Sequence, residues 1–493
     1  MSEEKDTSAS ADEGIGRLAR RTFLKGATQT ALGLAAAQFS RADARPAPIA
    51  PSSSSASTRI QDHLPARLTI TQFLWTWLTA CSPGEVYYDL EKVFAECAER
   101  HHNCIRADVA LNWAFDQQGR PRGPIEVGPW ATGVNDNLRG LFGKAGVRYD
   151  ALERVIHLFE LARKYQIYII ATSWEYQDST THLVDPKLRE DVFSTPPAER
   201  FERLANMYDR LIQELKKRGL EKQIAFVELH NEINASQFPQ EWSVQTPLVE
   251  KALHRLQQAH PGILFTGDYV NMGPVFQSNF PGYDALPKNM QVADHHIYTG
   301  GVQKALHDLT NTWLGNQMPP DPHDNELLRW LIGDKPRVSW DEWTQRAALV
   351  NRHWWALQWL FENLGEPDRY DYWEFEHFGE YSGTMTAQIE GGMRDWGIFA
   401  RQRGIPAVID EGYIFYPPRN SRFEESAAGR GIYEVAINTG IEQGYWGIML
   451  SNYAGPHEPL WTENPEWIKR MNRKILDSPA GPQGAPAVEH PRF

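Results

Sequence analysis

The chain has 493 residues, enough for one large domain with insertions or for two to three ordinary ones, and 41% of them are hydrophobic, so a sizeable core is possible and disorder is not the default. A formal net charge of −13 argues against a nucleic-acid partner, which would favour a basic surface. The three cysteines, Cys81, Cys97 and Cys104, are too few, and odd in number, for a disulfide framework.

Near the start, Arg20 and Arg21 open a basic stretch, RRTFLK. A weakly apolar, Ala- and Gly-rich segment follows from Ala27 to Phe39, and then Ala42-Asp43-Ala44, a small-x-small pattern. That order is the order of a bacterial export signal, and the paired arginines before Phe-Leu-Lys resemble the twin-arginine type. The reading predicts a signal over 1–44, cleavage after Ala44 and passage of the precursor through twin-arginine export machinery. The mature protein is then expected in the periplasm or outside the cell. No segment has the roughly 18 apolar residues that a span needs, so no stable membrane anchor is expected. A Pro- and Ser-rich linker is expected over 45–64.

From residue 65, short β-branched runs alternate with charged amphipathic ones. Strands are expected at 68–75, 103–111, 167–174, 224–231, 263–268, 291–298, 406–412 and 445–450. The intervening patterns are helical. In YDALERVIHLFELARKY, Leu152, Val155, Ile156, Phe159 and Ala162 share one face. The alternation predicts an α/β fold, a (β/α)8 TIM barrel over 65–480, with a short tail at 481–493. The connection after the sixth strand, about 300–385, is far longer than an ordinary loop. It contains DNELLRWLIG and DEWTQRAALVNRHWWALQWLFENLG, which predict a large helical insertion on the active-site side. Nine of the 18 tryptophans fall between 301 and 400. Each is expected in a core before a sugar site, and as a group they suggest an insertion that narrows the cleft.

In such barrels the chemistry sits at the C-terminal strand ends. Strand two brings Arg106 and Asp108. Strand three brings Trp174 and Glu175, and strand four His230, Asn231 and Glu232. Strand six brings His295, His296 and Tyr298, strand seven Asp410 and Glu411, and strand eight Trp446. With carboxyl groups roughly 5 Å apart, Glu232 and Glu411 would suit a retaining glycosidase, in which one attacks the sugar and the other protonates the leaving oxygen. Arg106 is expected to pair with Glu411 and Tyr298 to orient it. Asn231 is expected to hydrogen-bond the sugar 2-hydroxyl, Trp446 to floor the sugar pocket and Trp174 to line the cleft.

NCIRADV on strand two, FVELHNE closing strand four, HIY on strand six, VIDEG ending strand seven and GYWG on strand eight resemble the clan A glycoside hydrolases. In order and rough spacing they are similar to the cellulase-like glycoside hydrolase family 5 group, over about 65–475. The resemblance implies a retaining β-glycoside hydrolase acting on exogenous β-linked glucan, mannan or derived oligosaccharides. It implies Glu232 as acid/base, Glu411 as nucleophile, and Arg106, Asn231, His296, Tyr298 and Trp446 in support. An oligosaccharide or polysaccharide is the expected partner, and neither a metal nor another cofactor is expected. Two departures stand out. Ile233 follows the acid/base where the family often has proline, and strand three ends in TSWEY where members commonly have histidine. Two other readings compete: a non-catalytic sugar-binding protein on the same barrel, and a metal-dependent amidohydrolase-type barrel. The Glu pair with Asn231 speaks against the first. The lack of His-x-His on strand one speaks against the second, although Asp294, His295 and His296 invite a metal. Nothing in the sequence marks an oligomeric state.

Overall fold

The structure, a computed structural model, describes residues 58–128, 146–277, 280–299, 326–334, 339–342, 359–414, 421–450 and 459–479. The expected export signal, most of the expected linker and the tail lie outside these residues, as does most of the stretch from 300 to 358.

Among the described residues ten strands form, in chain order β1 (Leu68–Leu74), β2 (Cys104–Asp108), β3 (Pro124–Val127), β4 (Val147–Asp150), β5 (Tyr168–Thr172), β6 (Ile224–Glu228), β7 (Phe265–Thr266), β8 (Ala293–Thr299), β9 (Ala407–Ile414) and β10 (Gly447–Met449). Eight make one sheet in the order β7-β6-β5-β2-β1-β10-β9-β8. β1 pairs in parallel with both β2 and β10, so the first and last staves meet. The seam beside β8 is closed by backbone: His296 N–H donates to Tyr269 O at 3.0 Å, and Asn271 N–H to His296 O at 2.9 Å. The expected barrel is present, and each expected strand is one of its staves. β3 and β4 pair antiparallel as a hairpin that periodicity did not reveal. Four residues per strand are too few for a pattern to stand out.

Every residue of β1, β2, β6, β8 and β9 is buried, so β1 and β6 read as largely apolar runs, while β2, β8 and β9 bury polar and charged residues as well. Side chains alternate between the barrel interior and the helical ring. Ile70, Cys104, Phe226, Val292 and Val408 form an apolar floor with Leu68, Leu264 and Trp446. Two residues further along each strand the same face turns polar, with Gln72, Arg106, Glu228, Asp294 and Asp410, all buried. The barrel is therefore apolar at its N-terminal end and ionic towards its C-terminal mouth.

The surrounding helices follow the sequence pattern. Ala151–Tyr165 buries the expected face, and Asp150 caps it by accepting the Glu153 N–H at 3.2 Å. The helix Pro367–Arg403 runs for 37 residues, through the position near 385 where the insertion was expected to end. Gly391 and Gly392 lie inside it and serve contact: a Cβ on Gly392 would lie 2.7 Å from the Phe276 ring. Close packing there offsets the roughly 1 kcal/mol that a helical glycine costs. Residues 58–64, expected as linker, lie on the barrel. Thr58 N–H donates to Gly404 O at 2.9 Å, and Leu64 joins the floor cluster. No helix among the described residues is long and apolar enough to cross a membrane.

Candidate active site

The mouth is shaped by backbone that ordinary residues avoid. Leu74 (φ 52), Ala110 (φ 49), Glu232 (φ 43) and Asn271 (φ 49) are left-handed, each just past or at the end of a barrel strand. Such residues cost on the order of 1 kcal/mol or more and persist only where the surroundings fix them. At Glu232 the turn is held by its own N–H donating to Asp268 Oδ2 at 2.7 Å. β9 solves a second problem. β8 and β9 pair His295 with Ile409 but His296 with Glu411, a bulge at Asp410 that lets two consecutive acids reach the interior. Gly412 follows at φ 152, where a Cβ would lie 2.5 Å from Ile297 O, so VIDEG needs its glycine.

Glu411 Oε2 accepts from Arg106 Nη1 at 2.6 Å and from the Gln72 amide. Its Oε1 accepts from the Tyr298 hydroxyl, and the Tyr298 N–H donates to Asn271 Oδ1 at 2.8 Å. Glu232 Oε1 lies 3.0 Å from His296 Nδ1, and Oε2 accepts from Gln177 Nε2 at 3.0 Å. Glu232 and Glu411 each bring one carboxylate oxygen within 4.8 Å of the other's. They remain 9% and 5% exposed, while the groups beneath them are sealed.

Arg106 is the hub. Its Nη2 donates to Glu228 Oε2 at 2.7 Å and to Asn231 Oδ1 at 2.8 Å, and lies 3.3 Å from Asp268 Oδ2. Asp410 Oδ2 is 2.9 Å from Nε, and the guanidinium stacks over the Trp174 ring at 4.5 Å. One guanidinium cannot neutralise so many buried acids, and protons do the rest. Burial, with the charges of Asp410 and Asp268 behind it, holds the Glu228 carboxyl well above the usual range despite Arg106. Burial also pushes Asp268 up to about 7, against the pull of His296 and Arg106. Burial opposes ionisation of Asp410 too, but there Arg106 and His296 prevail and hold it low. For His296, burial favours the neutral ring, yet the Asp268 and Glu411 charges raise it well above its ordinary value.

These shifts set a pH dependence of stability. An acid raised in the fold binds a proton on folding, so its contribution is full below the unfolded value and is lost as pH rises through the folded one. Burial and the Glu175 charge raise Asp108 to about 8, and Asp268 is raised to about 7, both from 3.8. Histidines buried neutral, His102 and His230, act in the opposite sense only below their ordinary value of 6.5. Asp410, held low, acts only in strong acid. The thermal unfolding midpoint is therefore expected to fall between about pH 6.5 and 8.5, and less steeply in Asp108→Asn. A midpoint that rose across this range would contradict the assignment.

Of the expected site residues, the structure brings together Arg106, Asn231, Glu232, His296, Tyr298 and Glu411, with the buried Trp174 ring against the Arg106 guanidinium. Trp446 is elsewhere. It precedes β10, at the barrel floor, packs on Phe226 at 6.0 Å and donates its indole N–H to Pro65 O at 2.9 Å. The strand runs from floor to mouth, so a residue before its first rung cannot floor a pocket at the mouth. Glu175 is occupied by the Asn112 backbone and amide and by Ser173. His230 accepts the Tyr176 N–H at 3.0 Å and supports the loop. His295 faces outward, 2.8 Å from the Tyr445 hydroxyl. Sequence reading missed Gln72, Gln177, Asp178, Glu228, Asp268 and Asn271. Burial, then the charges of Glu232 and Glu411, hold the Asp178 carboxyl well above its usual range. A lone polar residue inside an apolar strand, as in LTITQFL and IAFVEL, was the available signal for Gln72 and Glu228.

Glu232, His296 and Glu411 each offer a donor atom within 4.8 Å of the others, a spacing that could hold a cation. His296, however, meets carboxylates at both nitrogens, with Nε2 3.2 Å from both Asp268 and Asp410. Carboxylates at both nitrogens favour a proton on each, and those protons compete with a metal for the ring. Glu228, Asp294 and Asp410 also cluster, but they are fully buried around Arg106.

No family model matches the chain, and no curated protein matches it. Solved structures do. A protein provisionally described as a glycoside hydrolase from Parabacteroides distasonis is 16% identical, with a TM-score of 0.59, over 84% of this chain and 94% of that one. An endo-1,4-β-D-mannanase from Thermotoga petrophila is 12% identical, with a TM-score of 0.45, over 83% and 99%. A glycoside hydrolase family 5 mannosidase from Rhizomucor miehei is 11% identical, with a TM-score of 0.43, over 84% and 94%. At these identities the shared property is the fold, and the chain is a (β/α)8 barrel.

Proposed function

We propose that the protein is a retaining β-glycoside hydrolase. The observation that carries this reading is that one carboxylate oxygen of Glu232 comes within 4.8 Å of one of Glu411 at the barrel mouth. Roughly 5 Å is the separation of a double-displacement pair; an inverting pair stands further apart to admit a water. In the first step a Glu411 oxygen bonds to the anomeric carbon as the bond to the leaving oxygen breaks, and Glu232 gives that oxygen its proton. In the second step Glu232 takes a proton from water, whose oxygen bonds to the same carbon and releases Glu411. Arg106, Gln72 and Tyr298 hold the Glu411 carboxylate in one plane for attack. Arg106 also fixes the Asn231 oxygen; one amide hydrogen of Asn231 goes to Gln177, and the second is the one proposed for the sugar 2-hydroxyl.

The description of the Parabacteroides distasonis protein supports the same reading. The proposed substrates are β-linked glucan, mannan or derived oligosaccharides. The basic segment RRTFLK and the Ala-rich run after it support export by the twin-arginine route, to the periplasm or beyond.

A panel of aryl β-glycosides (glucoside, mannoside, galactoside, xyloside, cellobioside) tests the reading, with wild type and Glu411→Ala run with and without chelator. Phenol release by wild type alone, unaffected by chelator, is expected. Silence across the panel would leave a polymer-specific enzyme or a binding protein on this scaffold, and sugar binding without release of reducing ends from glucan or mannan would favour the latter. Activity lost to chelator would favour the metal-dependent alternative.

A further inference from the structure

We propose that Gln177 is the positioning residue of the acid/base carboxyl, tying Glu232 to the Arg106–Asn231 pair. The inference rests on the glycosidase reading. It is carried by a chain of hydrogen bonds whose direction is fixed at one end. Arg106 can only donate, so Asn231 must present Oδ1 to it, at 2.8 Å. Asn231 Nδ2 then faces Gln177 and donates to Oε1 at 2.5 Å. Gln177 is left with Nε2 towards Glu232, and donates to its Oε2 at 3.0 Å. A guanidinium that never loses its charge thereby sets the orientation of two amides and places a donor on the acid/base.

The loop that carries Gln177 is itself held. Gln177 N–H and Asp178 N–H both donate to Trp174 O, at 2.9 and 2.8 Å, and Tyr176 N–H donates to His230 Nε2 at 3.0 Å. Glu232 needs such support. It follows a left-handed turn, and a glutamate has three side-chain torsions to fix. His296 meets one carboxylate oxygen and Gln177 the other, so both edges are gripped.

Positioning of a proton donor matters most when the leaving group needs the proton. Gln177→Leu removes both contacts. Gln177→Glu keeps an oxygen for Asn231 and replaces only the donor that faces Glu232. Both variants are compared with wild type by kcat/KM on phenyl and 2,4-dinitrophenyl glycosides of the sugar that wild type hydrolyses. Each is expected to lose about 10- to 100-fold more on the phenyl substrate than on the dinitrophenyl one, the scale of a misplaced proton-transfer group. Loss of folding or cleft shape would lower both equally, and that result would overturn the proposal, as would no loss. Glu232→Ala runs alongside and should show a larger split in the same sense. A split there without one in the Gln177 variants removes the positioning role alone. No split in Glu232→Ala, or no turnover by wild type, removes the acid/base reading and this inference with it.

Discussion

Arg106→Met is expected to destabilise the protein by about 3–5 kcal/mol near pH 8, and by much less near pH 5. Removing one partner of a buried ion pair leaves the other charge stranded, and losses of that order result. Here the stranded groups are several. Glu228, Asp268, Asp410 and Glu411 all lie within 3.3 Å of the guanidinium, which is fully buried. The fold can respond only by protonating them. At pH 5 this is nearly free for acids already raised, such as Asp268 at about 7. At pH 8 it is not, and the difference between the two pH values is the signature of the network. Arg106→Lys should fall between the two proteins, because one ammonium restores the charge but cannot bridge partners on opposite sides of a planar fork. Urea unfolding at both pH values measures the effect. A loss under about 1 kcal/mol at pH 8 would mean that the acids are neutralised by other means.

Arg106 also shows how much of the site could be read from the sequence. An arginine inside the apolar run NCIRADV must have a buried partner; cost alone left Glu411, Asp108 and Asp410 open, and Arg106 meets both Glu411 and Asp410. The barrel was legible for a related reason: parallel strands buried on both faces announce themselves as apolar runs. What the sequence left hidden is whatever depends on which strands become neighbours. Glu228, Asp268 and Gln72 sit on three different staves and meet only because the barrel closes. Gln177 lies in a loop with no periodicity, and nothing local ties it to Asn231 or Glu232, more than fifty positions away. Trp446 failed differently. Within the expected strand 445–450 it already lay near the start, at the floor end of a stave that runs towards the mouth. Similarity to the motif GYWG drew it to the wrong end of the barrel.

Glu411→Ala is expected to lower kcat by at least about 10^4-fold, the scale seen when a covalent nucleophile is removed, while stability changes by less than about 1 kcal/mol. The two halves of this prediction come from one fact. Glu411 tops a network that already has more acids than cations. Without it Arg106 keeps Glu228, Asp268 and Asp410 as partners. Deleting it therefore strands no cation, but it does remove the carboxylate that, among the described residues, is placed opposite Glu232. Azide should restore turnover of aryl glycosides. It can enter the space that the carboxylate leaves, bond to the anomeric carbon from the same face and expel the aryl oxide. The product should be a glycosyl azide of inverted configuration. No second displacement occurs, because an azide carbon–nitrogen bond does not release the sugar to water. Glu232→Ala should behave differently, keeping turnover where the leaving group departs without a proton. Full activity in both variants would end the assignment. A glycosyl azide of retained configuration from Glu411→Ala would instead mean that another group attacks first.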